Sequence, residues 1–230
     1  MIRRLFGLLL LAGIFGFFVF AMQDFASLYN DYGRVYFQTN GYVETGSLNL
    51  VTGIYLDYRL FDTLFEAGIL LVAVSGVSWI AQHDHVEHNP LFMLDRFKIP
   101  ELFVSIARVL YPIVLLFGIY VVFNGHLAPG GGFQGGSILA TAFLILYYID
   151  LQKKTNLARL FFIEKILYLT LLTVSILSYF TRGFLFTNVF SPEEGVAYQS
   201  VFLILLNVLI GAKVAIGLTA IFIAFLKEGR

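Results

Sequence analysis

Three charges at helical spacing open one apolar stretch of the chain. In "LDYRLFDTLFE", Arg59, Asp62 and Glu66 fall at i, i+3 and i+7, within about 60° of one helical face. Asp57 points elsewhere. Arg59 and Asp62 sit where the apolar run begins, and a pair anchoring the helix at the membrane boundary accounts for them. Glu66 lies about one and a half turns deeper, near 9–10 Å below Leu60 at 1.5 Å per residue. Ionisable groups at that depth are expensive and mark ion or proton routes. Glu66 is therefore the best candidate for a group that takes up protons or holds a cation.

A second charge lies deeper. Lys213 in "GAKVAIG" falls near the middle of the last apolar run. Its small neighbours Gly211 and Ala215 favour close helix contact. An ammonium there must face a carboxylate, backbone carbonyls or water. The expectation is an ion-pair or proton-relay role, with Lys213 reaching Glu66 through water or a carboxylate on a neighbouring protein of the same assembly. Glu164 and Lys165 read as boundary residues. Arg108, four residues before Pro112, serves equally as anchor or relay. The loop "QHDHVEHNP" gathers His83, His85 and His88 with Asp84 and Glu87, but its spacing fits no zinc pattern. It is read as a wet polar loop. No catalytic residue, metal or cofactor is expected.

The stretch "NGHLAPGGGFQGG", Asn124 to Gly136, breaks the backbone between two apolar runs. Pro129, Gly130, Gly131, Gly132, Gly135 and Gly136 form the break. Irregular backbone at a membrane edge survives only against protein or water. One reading is an outward vestibule for water or an ion, with His126 at its rim, since histidine titrates near neutral pH. The other is a tight re-entry turn that lets helices pack closely, with His126 as an interfacial hydrogen-bonding group. A phosphate-binding loop does not fit, since neither GxGxxG nor GxxxxGK is present.

The elements carrying these groups follow from composition. Of 230 residues, 59% are hydrophobic and 13% charged, about half the usual charged share. This reads as an all-α integral membrane protein. Net charge is zero, so no nucleic-acid partner is indicated. Without cysteine, disulfides and cysteine-held clusters are excluded. Apolar runs at Leu5–Met22, Leu60–Ile80, Leu102–Phe123, Gly136–Ile149, Phe161–Phe180 and Gln199–Leu226 predict six transmembrane helices. The fourth is short unless part of the glycine stretch joins it. Arg3, Arg4, Arg96, Lys98, Lys153, Lys154, Arg159, Lys227 and Arg230 fall on one side. Only Arg34, Arg59 and Arg182 fall on the other. The bias places both termini in the cytoplasm. A signal peptide is the rival for the first run, but no small-x-small site precedes Gln23. The chain divides near Pro90–Pro100, into a two-span segment over 1–98 and a four-span domain over 99–230.

The glycine stretch, followed by "SILATAFLI", strongly resembles the B-type subunit of the multisubunit Mrp-type Na⁺/H⁺ antiporters, whose motif is close to GHxxPGGGFxGG. His126, Pro129, Gly130, Gly131, Gly132, Phe133, Gly135 and Gly136 match in place. The resemblance covers about 100–226. "ETGSLNLVTGIYLDYRLFDTLFE" is similar to the tail of the A-type subunit of the same antiporters, through Asn49, Val51, Asp57, Arg59, Phe61, Asp62, Thr63, Leu64 and Glu66. It covers about 25–80. In that family the glutamate at the Glu66 position is associated with ion transport. A separate small protein of this make-up looks like those of membrane-bound hydrogenases and related ferredoxin-linked respiratory complexes. Asn207 and Lys213 depart from the B-type pattern.

The resemblance implies a multi-pass subunit of the cell (cytoplasmic) membrane with no redox centre and no catalysis of its own. Its partners would be other subunits of the antiporter module and a hydrogenase-like peripheral arm, with Na⁺ or H⁺ or both as cargo and lipid around it. The alternatives are a scaffold for neighbouring transport subunits, a component of a stand-alone antiporter, and a membrane enzyme using the histidine loop.

Overall fold

Glycines and asparagines set where this chain starts and stops its helices. In a computed structural model, which describes residues 2–25, 31–83, 100–149 and 156–228, every regular element is helical. In order these are α1 (Ile2–Phe25), α2 (Tyr32–Thr45), α3 (Leu50–Gly53), a π-helical turn (Ile54–Tyr58) and α4 (Leu60–His83). Then follow α5 (Glu101–Phe123), α6 (Gly132–Ile149), α7 (Leu157–Arg182), a 3₁₀ turn (Pro192–Glu194) and α8 (Val196–Glu228). The side chain of Asn156 caps α7 by accepting from the Arg159 N–H at 3.2 Å. Gly183 ends α7 in the left-handed conformation at φ 73°, a geometry glycine adopts without strain.

Five of these helices, α4 to α8, are long and apolar enough to cross a membrane. The first expected span falls in α1, whose apolar stretch Phe6–Met22 is shorter. The expected fourth span gains its length from the glycine stretch, because α6 begins at Gly132 and runs 18 residues.

The described chain forms two units, residues 1–39 and 40–230. The first holds α1 and most of α2. In α1 large apolar side chains such as Phe15, Phe17 and Phe18 are exposed all round. The second is a helical bundle in which α8 touches α4, α5, α6 and α7. In its apolar window 56% of residues are buried, against 11% for α5. So α8 is the central post and α5 a peripheral one. The core around α8 includes Leu56, Leu60, Leu64, Leu171, Leu203 and Leu206.

Close packing explains the glycines of α6. A Cβ at Gly132 would lie 2.7 Å from the Asn207 carbonyl oxygen, and one at Gly136 would lie 2.7 Å from that of Gly211. One at Gly135 would strike Val122. These contacts bring α6 against the backbone of α8 and the side of α5, as small residues do between membrane helices.

Candidate ion-path site

The two motif stretches of the sequence meet. Thr52 Oγ1 donates to the Gly125 carbonyl at 2.6 Å, and Asn49 Nδ2 donates to the Gly125 and Ala128 carbonyls at 2.9 Å each. The Asn49 N–H and Ser47 Oγ both donate to the His126 carbonyl, at 3.0 and 2.9 Å. The loop between α5 and α6 thus has its carbonyls satisfied by the segment just before α4, as buried carbonyls require.

Asn207 of α8 closes this seam from below. Its Oδ1 accepts from the Gly132 N–H and from the Tyr55 hydroxyl, both at 2.8 Å. Gly131, at φ 135°, passes so close to Tyr55 that a Cβ would strike the hydroxyl. Among the described residues Asn207 Nδ2 is buried without a partner. Sequence reasoning marks Asn207 as a departure from the B-type pattern but misses its place in this seam. The available signal is an amide in the apolar run "LILLNVLIG".

His126 is buried, with Nδ1 3.1 Å from the Phe123 carbonyl. The ring is tucked under the loop it belongs to, in the manner of the hydrogen-bonding group rather than the open rim. Desolvation pushes its pKa below the ordinary histidine value, against a smaller upward pull from that carbonyl. The ring is therefore neutral at pH 7, with Nδ1–H donating. The sign follows from linkage. A depressed folded value gives stability that is present above about pH 6.5 and lost as pH falls through the folded value. Thermal stability of the wild type should decline with acidification over that range. His126→Gln should flatten that part of the profile, as followed by melting temperature against pH.

Glu66 faces outward from α4, away from Leu64 and Ala67, which point into the bundle. Among the described residues it forms no ion pair. It lies within electrostatic reach of the Tyr55 hydroxyl. Arg59 and Asp62 pair as the spacing suggests, Nε to Oδ2 at 2.6 Å, with both side chains more than half exposed. Such an exposed pair stabilises little. Asp57, which points elsewhere, is buried. It accepts from Thr187 Oγ1 at 2.7 Å and the Asn188 N–H at 2.8 Å, latching the connection between α7 and α8 to the start of α4.

Lys213 overturns an expectation. Its Nζ lies 2.6 Å from Glu164 Oε1, and both side chains are fully buried. The partner is neither Glu66 nor a carboxylate of a neighbouring protein. The reason is the register of α7. That helix begins at Leu157, so Glu164 lies about two turns inside it rather than at its edge. Phe161, Glu164, Leu171, Ser175 and Ser178 are its buried residues. Glu164 thus belongs to the inward face, while Lys165 and Arg108 are exposed.

His85 and His88, with Asp84 and Glu87, lie outside the described residues, and only the backbone of His83 is described. Among the described residues no group of three or more acids and histidines is placed to hold a metal.

Residues 102–220 match the family described as a domain related to the MnhB subunit of Na⁺/H⁺ antiporter. An uncharacterized protein of Methanocaldococcus jannaschii is 36% identical over 112 residues, 42% of this chain and 42% of that one. A probable K⁺/H⁺ antiporter protein of Rhizobium meliloti, of the combined A/B type, is 25% identical over 132 residues, 49% of this chain and 13% of that one. A putative antiporter subunit mnhB2 of Staphylococcus epidermidis is 46% identical over 43 residues, 19% of this chain and 30% of that one. The chain therefore spans less than half the length of each of these relatives. Among solved structures, a chain of the membrane-bound sulfane sulfur reductase, an archaeal respiratory membrane complex, superposes at a TM-score of 0.72 and 25% identity. That likeness covers 98% of this chain and 99% of the other. A chain of the Mrp complex of Dietzia superposes at 0.55 and 21% identity, over 90% of this chain and 26% of the other. The second likeness is one of fold alone.

Proposed function

The chain belongs to the family of domains related to the MnhB subunit of Na⁺/H⁺ antiporters, and from that premise we propose that it is a membrane subunit of a cation/proton antiporter module within a larger respiratory complex. The observation that carries the proposal is the end-to-end likeness to one chain of a respiratory membrane complex. A domain matched only in part would leave the parent assembly open. Here the likeness covers 98% of this chain and 99% of the other.

In this reading the chain builds the ion path and carries no redox chemistry. Glu66 is the protonatable or cation-holding group. Asp62 and Arg59 stand one turn or two nearer the start of the helix, at the mouth. His126 holds the shape of the glycine loop, and Lys213 is the cationic group of the interior. Residues 1–98 are the piece akin to the tail of the A-type subunit, and 99–230 the piece akin to the B-type one. The partners are the other antiporter subunits and a hydrogenase-like arm, with Na⁺ and H⁺ as cargo. A scaffold is the second reading, favoured by one observation: the deepest charge, Lys213, is already neutralised inside the chain. The two are separated by Glu66→Gln, which in a scaffold leaves both assembly and cation-driven proton movement intact.

The topology of this reading is six spans with both termini cytoplasmic. It rests on the loop charges. Cysteines placed at Asn40 and Glu194 should react with a membrane-impermeant reagent added outside, and one at His88 only after the membrane is opened. Reaction of His88→Cys from outside would overturn the orientation.

A further inference from the structure

We propose that Glu164 and Lys213 form a second proton-holding station inside the bundle, in which Glu164 takes up and returns the proton and Lys213 sets its affinity. The inference rests on the antiporter reading above and adds to it a site apart from Glu66.

The geometry is that of an incompletely satisfied pair. Glu164 Oε1 accepts from Lys213 Nζ at 2.6 Å, while Oε2 is buried without a hydrogen-bond partner among the described residues. The ammonium also lies over the ring of Tyr168, 5.6 Å from its centroid. A pair retained for stability alone is expected to have its remaining lone pairs satisfied. Asp57 shows that this fold can set two donors against a buried carboxylate, both on Oδ1. At Glu164 the second oxygen is left as a bare acceptor.

A proton reaching Oε2 forms an O–H bond there and breaks no bond in the chain. The carboxylate becomes a neutral acid. Lys213 remains an ammonium facing a carbonyl-type oxygen and the Tyr168 ring. The site then carries one net positive charge in the bundle interior, which is costly there. The proton is therefore passed on rather than kept. The two states differ by one proton, supplied by the proton half of the antiport, and no other reactant is needed.

Position supports a station on a route. A Cβ at Gly217 would lie 3.2 Å from Val74 of α4 and 3.5 Å from Glu164 Cγ. The pair thus sits beside Val74. That level is about 12 Å further along α4 than Glu66, at 1.5 Å per residue. Tyr168, which covers Lys213, sets its hydroxyl against Gly68 of the same helix. Among the ionisable groups of the described helices packed here, Tyr168 of α7 touches the pair. On α4 the nearest along the helix is Glu66, which points outward.

The test uses the intact complex and the double variant Glu164→Gln/Lys213→Met, with Glu66→Gln as a control. Removing both charges together avoids an unpaired buried ion. The double variant should assemble and lose at least about a hundredfold in coupled transport, the low end for a positioned proton-transferring group. Assembly with wild-type transport would overturn the proposal. In that case a dead Glu66→Gln control leaves the antiporter reading standing, and an active one removes that reading too. If the double variant does not assemble, infrared difference spectroscopy on the wild-type complex decides without any transport readout. Acidification should raise a protonated-carboxyl band that shifts in Glu164→Asp. No band that responds to that substitution would contradict the proposal.

Discussion

Glu66→Gln leaves the complex assembled and abolishes its coupled transport. The side chain is exposed on the surface of its own chain and makes no ion pair among the described residues. Its replacement by an amide of equal shape therefore costs the fold little, within about 0.5 kcal/mol for a surface change. Transport is another matter. A carboxyl at membrane depth that faces neither core nor partner in its own chain is positioned for a partner subunit or for an ion. Glutamine neither releases a proton nor neutralises a cation. The loss should reach about a hundredfold, as for a positioned proton-transferring group. The measurement pairs native gel mobility of the complex with cation-driven pH change in vesicles. Intact complex with intact transport in Glu66→Gln would sink the assignment.

Lys213→Met as a single change acts the opposite way, through stability. It leaves Glu164 fully buried with neither oxygen satisfied. Breaking a buried pair by removing one partner typically costs about 3–5 kcal/mol. Protonation of Glu164 recovers part of this, so the loss should be smaller in acid than at neutral pH. The expected result is a sharp fall in assembled complex at neutral pH, with partial recovery on adding the second change, Glu164→Gln. Coupling measured by this double-mutant cycle tests the pair directly. Equal assembly of the wild type and Lys213→Met would show that the interior tolerates the unpaired carboxylate.

These two residues also show what the sequence makes legible. The depth of Glu66 follows from counting along an apolar run from a marked start, Arg59 and Asp62. The exposure of its side chain does not, since a helical face alone does not say which neighbour lies on it. Lys213 is conspicuous as a lone cation in an apolar run. Its partner is hidden because the apolar run that holds Glu164 begins at Phe161, whereas its helix begins at Leu157. The difference makes Glu164 look like a boundary residue. Helix ends are the least legible feature of a membrane sequence, where a few polar residues fit either the last turn or the loop.

The glycine stretch divides the same way. Its departure from helix is plain from composition. Its role in packing, with Gly132 and Gly136 against the backbone of α8, depends on which glycines face which helix. So does the hydrogen-bonded seam from Ser47, Asn49 and Thr52 to the loop at Gly125–Ala128. These partners are more than 70 residues apart in the chain, and no local pattern links them. The resemblances to two kinds of antiporter protein mark both stretches but not their contact.

The central claim is that this chain is a working part of a cation/proton antiporter. The most direct measurement follows the proton gradient across membrane vesicles from cells with and without the chain, using a pH-sensitive dye and a pulse of Na⁺. Vesicles that contain the chain should lose part of their gradient on the pulse. Vesicles without it should not, and restoring the chain should restore the response. An undiminished Na⁺ response in vesicles that lack the chain would contradict the account.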